Sequence, residues 1–177
     1  MIVHYLDASS WVKRYCVEPG TRWVAEFFAR GPTIVSSALG VIEVLCTLAR
    51  KHKAGEMQSR DWREKTREVN NDFLLFNRVF LTPPVLDIAA DMPAQVALRG
   101  ADTVHLASAL YVRDSGTRPE MEVRFITSDG ELAAGAKASS FRVIRPEELE
   151  SRMPGEPATG LAEADDALLE ELCLPRK

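Results

Sequence analysis

The stretch IVHYLDASS, residues 2–10, is the one on which the fold turns. IVHYL is apolar and β-favouring as a block and ends directly on Asp7. Such a run reads as a buried strand. Ser9 and Ser10 are good N-cap types ahead of a helical segment through Tyr15. A second stretch, EVRFITSD at residues 122–129, repeats the pattern. It is a strand ending at Ser128-Asp129, with a short helix from Leu132 to Ala138 behind it. In an open parallel α/β sheet, sites lie outside the carboxyl ends of the strands. If the two strands run parallel, Asp7 and Asp129 arrive at one edge.

Working outward, Trp23, Val24, Phe27 and Phe28 fit one helical face between Pro19-Gly20-Thr21 and Gly31-Pro32. Residues 33–36 form a second short strand. A helix runs from Ala38 to about Lys53, with Val41, Leu45 and Leu48 recurring on it and Gly55 ending it. Residues 56–77 read as a long polar helix, an arm or a cover for a partner. Residues 78–82 read as a strand. Residues 85–98 read as a helix that Pro93 must kink or divide. Residues 101–113 form another helix, and residues 141–144 the last strand. Strands alternating with helices in this way imply an α/β sandwich with a mainly parallel sheet. From Pro154 the composition shifts to a Gly/Pro linker and an acidic segment. There Leu161, Leu168, Leu169 and Leu172 make a narrow stripe, so residues 1–150 read as the domain. Residues 151–177 read as an extension, either a docked helix or a disordered tail.

A chain of 177 residues suits one domain. The N-terminus has no basic leader, and no apolar run reaches membrane-spanning length, so a cytoplasmic protein is expected. Cys16, Cys46 and Cys173 fit neither a disulfide framework nor zinc spacing and read as small hydrophobes. The net charge of -4 hides an asymmetry. Residues 147–177 hold nine acids and three bases, leaving 17 acids and 19 bases in residues 1–146. Apart from a cluster of acids, that body is mildly basic. This suits a polyanion, and it equally describes an ordinary solvated surface.

Four acids stand in four contexts. Asp7 and Asp129 follow strands, where an aspartate also serves as a cap or turn residue. Glu43 lies among aliphatics in IEVLCTLA. There it needs a cation, a hydrogen bond or an exposed face. Asp102 opens the ADTVHLASAL segment, where it would also serve as an N-cap. His105 follows at i+3 and reads as a core or supporting histidine before a ligand. Carboxylates gathered at one site need a compensating cation. Oxygen-only ligands select a hard ion, Mg²⁺ or Mn²⁺. Such ions serve phosphoryl chemistry by activating water and offsetting phosphate charge.

YLDASSWVKRY, SSALGVIEVLCTLARKH, LRGADTVHLASAL and FITSDGEL resemble, in order, the four acidic motifs of PIN-domain nucleases. They look most like those of the VapC toxins of toxin–antitoxin pairs. The resemblance covers about residues 2–146 and implies a PIN-like three-layer α/β/α sandwich. It assigns the metal to Asp7, Glu43, Asp102 and Asp129. Ser9 and Thr127 match the small hydroxyl residues expected to orient water or phosphate. It implies a metal-dependent endoribonuclease that cuts RNA of the tRNA or ribosomal class with metal-activated water, leaving a 5′-phosphate and a 3′-hydroxyl. It also implies a homodimer silenced by a cognate antitoxin. Gly130, Ala101 and Thr103 depart from the common pattern without touching the four acids. No family role carries onto the acidic tail. Folding across a basic face to temper RNA binding is one expectation for it.

Two other readings stand beside this one. A hydrolase using a strand-end aspartate as nucleophile wants an acid two residues on, and position 9 is serine. A non-catalytic PIN-like module binding RNA or protein would keep the fold without needing all four acids.

Overall fold

A computed structural model describes residues 1–92, 96–115, 120–154 and 166–175. Its centre is a five-stranded sheet made of β1 (Ile2–Leu6), β2 (Ile34–Ser37), β3 (Asn77–Val79), β4 (Glu122–Ile126) and β5 (Arg142–Ile144). The order across the sheet is β3-β2-β1-β4-β5, and all four pairings are parallel. Register pairs Leu6 with Ile126 and Ile126 with Ile144. The residues that follow β1 and β4 therefore emerge side by side at the centre of one edge.

Period-two alternation on β1 builds both faces. Val3 and Tyr5 enter a core with Leu106, Phe125 and Leu132. Leu6 enters the opposite core with Trp11, Trp23 and Phe27. The first core is covered by α5 (Pro83–Asp91), α6 (Gly100–Asp114) and α7 (Gly130–Ala138). The second is covered by α1 (Ala8–Trp11), α2 (Thr21–Ala29), α3 (Ala38–Lys53), α4 (Ser59–Leu75), α8 (Pro146–Glu150) and α9 (Asp166–Glu171). Strands buried on both faces need near-continuous apolar runs, and that is why IVHYL is legible as a strand.

Element boundaries differ from the sequence reading where capping chemistry intervenes. The first helix is capped by Asp7, whose side chain accepts from the Ser9 amide, so it begins at Ala8. It stops at Trp11 and tightens into a 3-10 turn over Val12–Arg14. The helix expected from residue 85 begins at Pro83, because proline is preorganised for a first turn that needs no amide donor. It ends at Asp91; the expected break at Pro93 lies outside the described residues. β3 is shorter than the RVFLT block, and Phe80 and Leu81 beyond it are exposed. The polar helix is no free arm. It packs along α3, burying Val69, with the Trp62 ring stacked on His52 at 4.9 Å.

The described part of the tail is docked. Leu169, Leu172 and Leu174 are buried, and Trp23 Nε1 donates to the Leu172 carbonyl at 2.8 Å. Glu170, Leu174 and Pro175 line a recess with Met1, Ile2, His4 and Arg124, at the amino ends of β1 and β4. These residues therefore sit at the edge of the sheet opposite Asp7 and Asp129. The linker at Gly155–Gly160 and Leu161 lie outside the described residues.

Candidate metal centre and active site

Asp7 is 4% exposed, and its carboxylate is braced on one oxygen. Oδ2 accepts from the Ser9 amide at 3.2 Å, Ser9 Oγ at 2.5 Å and Thr127 Oγ1 at 2.9 Å. Oδ1 has His105 Nε2 at 3.5 Å. The two hydroxyls also touch each other, at 3.3 Å, and Ser9 Oγ accepts from the Ser128 amide at 2.9 Å. Ser9 and Thr127 were expected to orient water or phosphate. Here both turn onto Asp7, and they tie the loop after β1 to the loop after β4.

Glu43 lies on α3, six residues past its N-cap Ser37, with its side chain 34% exposed. Its Oε2 meets His105 Nε2 at 2.6 Å. The other ring nitrogen, Nδ1, bonds the Tyr5 hydroxyl at 2.9 Å. A chain Tyr5–His105–Glu43 therefore runs from the core of β1 to the cleft. Burial disfavours a charged His105 ring, but Asp7 and Glu43 outweigh it and hold its pKa above the ordinary histidine range. Burial, with help from Asp7, pushes the Tyr5 hydroxyl well above the usual tyrosine range, so it stays protonated. Gly40 makes room for this chain. A side chain there would meet Ser36 Oγ at 3.0 Å and the His105 ring at 3.2 Å.

Asp102 is not the cap of its helix. α6 begins at Gly100 with Arg99 as the N-cap residue, so Asp102 stands in the first turn. An acid there complements the helix dipole without spending its oxygens on the backbone. Burial raises its pKa, opposed by the neighbouring Arg99. Asp129 caps α7, its Oδ1 accepting from the Leu132 amide at 2.9 Å. The exposed guanidinium of Arg99 bridges the two. Nε donates to Asp102 Oδ2 at 2.9 Å, and Nη2 to Asp129 Oδ2 at 2.7 Å.

All four acids line one cleft of about 560 Å³, together with Ser9, Lys13, Arg50 and Arg99. Among the described residues, no three acids or histidines are already drawn together as a ligand set. The hydrogen bonds show why: Arg99 holds Asp102 and Asp129, and His105 holds Glu43. The donor chemistry still fits a hard cation. Five carboxylates line one space; Glu18 is paired with Lys13 and Lys51, and of the other four Asp7 keeps Oδ1 apart from its three hydrogen bonds on Oδ2.

Sequence reading named the four acids and His105 but missed Tyr5, Gly40, Lys13 and Arg99. A tyrosine in a buried strand signals a needed hydroxyl partner. The i,i+3 pairing of Arg99 with Asp102 was visible in the same block. Lys13, nearly buried and 3.7 Å from Glu18, carried no such signal.

The profile of the family described as "PIN domain" matches residues 4–138. Ribonuclease VapC45 of Mycobacterium tuberculosis (strain CDC 1551 / Oshkosh) is 32% identical over 139 residues, 78% of this chain and 92% of that protein. Two solved structures share the fold. FitAcB from Neisseria gonorrhoeae gives a TM-score of 0.58 at 19% identity, covering 82% of this chain and 98% of its own. A toxin-antitoxin complex from Klebsiella pneumoniae gives 0.56 at 15% identity, covering 81% and 97%.

Proposed function

This chain belongs to the PIN-domain family, among the VapC-type ribonucleases, and from that premise we propose that it is a toxin endoribonuclease using Mg²⁺ or Mn²⁺ held by Asp7, Glu43, Asp102 and Asp129. One observation carries the reading of the site. Carboxylates from four separate segments, after β1, on α3, on α6 and after β4, line a single cleft at the carboxyl edge of a parallel sheet. Arg99 and His105 offset only part of the charge of four such groups, and a bound cation would offset the rest. Bound there, the ion would lower the pKa of a water and offset charge on the phosphate.

The residues of the chain do the rest by position. Ser9 and Thr127 fix Asp7, so its free oxygen is presented without rotamer loss. Tyr5 and His105 fix Glu43. Lys13, Arg50 and Arg99 supply positive charge at the cleft walls, which receives the RNA backbone. Water attacks phosphorus, the bond to the 3′-oxygen breaks, and that oxygen takes up a proton. The products are a 5′-phosphate and a 3′-hydroxyl.

The substrate is RNA of the tRNA or ribosomal class. A cognate antitoxin silences the enzyme, by analogy with the toxin–antitoxin complexes whose fold it shares. Residues 1–150 form the nuclease, and 151–177 an extension. Leu74, Leu75, Phe80, Leu81 and Leu86 are among the exposed large apolar side chains that protein contact, with a second copy included, would cover. No helix among the described residues is long and apolar enough to cross a membrane.

The test is cleavage of a mixed tRNA and ribosomal RNA pool with added Mg²⁺ or Mn²⁺, comparing wild type with Asp7→Asn. Discrete fragments that vanish with a chelator and in the variant are expected. Folded, antitoxin-free protein that cuts nothing would favour a binding module.

A further inference from the structure

Arg99 has an unusual position. Its backbone caps α6, but its side chain makes no cap bond and spans the mouth of the cleft instead. The guanidinium is 68% exposed, while the carboxylates it bridges, Asp102 and Asp129, are 13% and 24% exposed. Asp129 has already committed Oδ1 to the Leu132 amide. Its Oδ2 is the oxygen any other cation would take, and Arg99 holds it. Asp102 likewise gives Oδ2 to Arg99.

We propose that Arg99 is an exchangeable counter-cation: it pairs with Asp102 and Asp129 together, yields them when the metal binds, and then binds an RNA phosphate at the cleft rim. This rests on the metal-dependent nuclease reading above. Three features favour exchange over a permanent brace. The guanidinium side of the pair is exposed, and ion pairs open to solvent are held weakly against water and salt. The guanidinium fork that fits two carboxylate oxygens fits two phosphate oxygens equally well. Of the other cations of the wall, Lys13 is nearly buried against Glu18 and has no comparable freedom to swing, and Arg50 donates to Thr47 on its own helix and to none of the four acids. Glu43 is handled in the opposite way, by a buried histidine that has nowhere to go.

The experiment uses the full chain and two variants, Arg99→Gln and Arg99→Lys, with Mn²⁺ alone as the first probe. Calorimetric or spin-resonance titration of RNA-free protein reads Mn²⁺ affinity. Loss of the competitor is expected to tighten it by about two- to fivefold in Arg99→Gln. Cleavage at saturating Mn²⁺ then reads the phosphate contact. KM for RNA is expected to rise about tenfold with kcat changed less than about threefold. The slope of log KM against log salt should fall by nearly one contact's worth, about 0.7 for a single strand. Arg99→Lys keeps the charge without the fork and should fall between, which keeps the test open if the Gln variant misfolds. Weaker or unchanged Mn²⁺ binding in both variants would overturn the exchange. So would an unchanged KM and salt slope. A folded wild type that neither binds Mn²⁺ nor cuts RNA would fell the metal-nuclease reading, and Arg99's role with it; wild-type binding and cutting with inert variants fells Arg99 alone.

Discussion

The two ends of β1 treat a buried polar residue in opposite ways. At the carboxyl end, Asp7 has three hydrogen bonds on one oxygen, and its neighbours Thr127, Ser9 and His105 are themselves partnered. Toward the amino end, at the middle residue of the strand, His4 is 3% exposed, and neither ring nitrogen has a hydrogen-bond partner. It rests edge-on against Phe27 at 5.0 Å. One end keeps a charge in place at the expense of many partners; the other keeps a ring by denying it charge. The difference separates chemistry from support: substitutions at the first end should change activity with little loss of fold, and those at the second should do the reverse.

The largest effect belongs to Asp7. Asp7→Asn keeps the shape and much of the hydrogen bonding of the side chain but removes its charge. Cleavage should fall on the order of a thousandfold or more, as for other groups that act only in the transition state. The thermal midpoint measured with chelator should hold or rise, since one of four clustered acids is neutralised. A variant that lost stability as much as activity would break the division between the two ends.

The opposite case is Leu172, fully buried beside Trp23 in the segment packed at the amino ends of the strands. Leu172→Ala should cost about 2–5 kcal/mol of unfolding free energy, by lost burial and the cavity left behind. At temperatures where the variant is folded, kcat/KM should match wild type, because none of the described tail residues lines the acid cleft. Loss of activity in the folded variant would show that the docked tail reaches the site.

His105 sharpens the division from within the site. His105→Gln keeps a donor toward Glu43 but not the link to Tyr5. Metal affinity and cleavage should each fall about 10–100-fold, the usual effect of groups that orient ligands. Tyr5→Phe should fall in the same direction by less, since it leaves the imidazole in place. Equal losses in both variants would mean that the tyrosine, rather than the histidine, sets the geometry.

These residues also mark how far the sequence could be read. β1 was legible because it is buried on two faces and reads as a nearly continuous apolar run that ends at Asp7; β4 was legible from its β-favouring Val123, Phe125 and Ile126 ahead of Ser128-Asp129. Glu43 was legible because a carboxylate among aliphatics breaks a local expectation; Asp7, Asp102 and Asp129, each explicable as a cap or turn residue, were legible only as a set. The cations of the cleft were not. Arg99 and Lys13 are ordinary surface residues by composition, and only folding brings Arg99 across to Asp129, 30 positions away. For Asp102 a cap role competed with metal binding, because an aspartate before an apolar helix is usually a cap. Its helix starts two residues earlier, which frees its carboxylate for the cleft. The tail was ambiguous because four leucines in an acidic segment dock only if a matching face exists, and that face, Trp23 with Phe27, is assembled from elsewhere in the chain.

The smallest effect tests the amino end directly. Burial first, and then the nearby Arg124, push His4 down from the usual 6.5 to about 4; the Thr33 carbonyl and Glu122 act weakly the other way. The unfolded chain therefore binds the proton across that window while the folded chain does not. Stability contributed by the neutral ring is full above about pH 6.5 and is lost as pH falls toward 4. Between pH 7.5 and 5.5 that loss is about 1 kcal/mol. His105 runs the opposite way, its raised pKa adding stability as pH falls. The measurement is therefore the difference between wild type and His4→Leu in denaturant midpoint across that range, in which His105 cancels. His4→Leu should flatten the acid limb and match or exceed wild-type stability at pH 7.5, because an unpartnered buried ring is exchanged for an apolar one. Metal-dependent cleavage should be unchanged. An acid limb that persists in His4→Leu would locate the sensitivity at the acid cleft instead, and the two ends of β1 would then differ in partners but not in what they do.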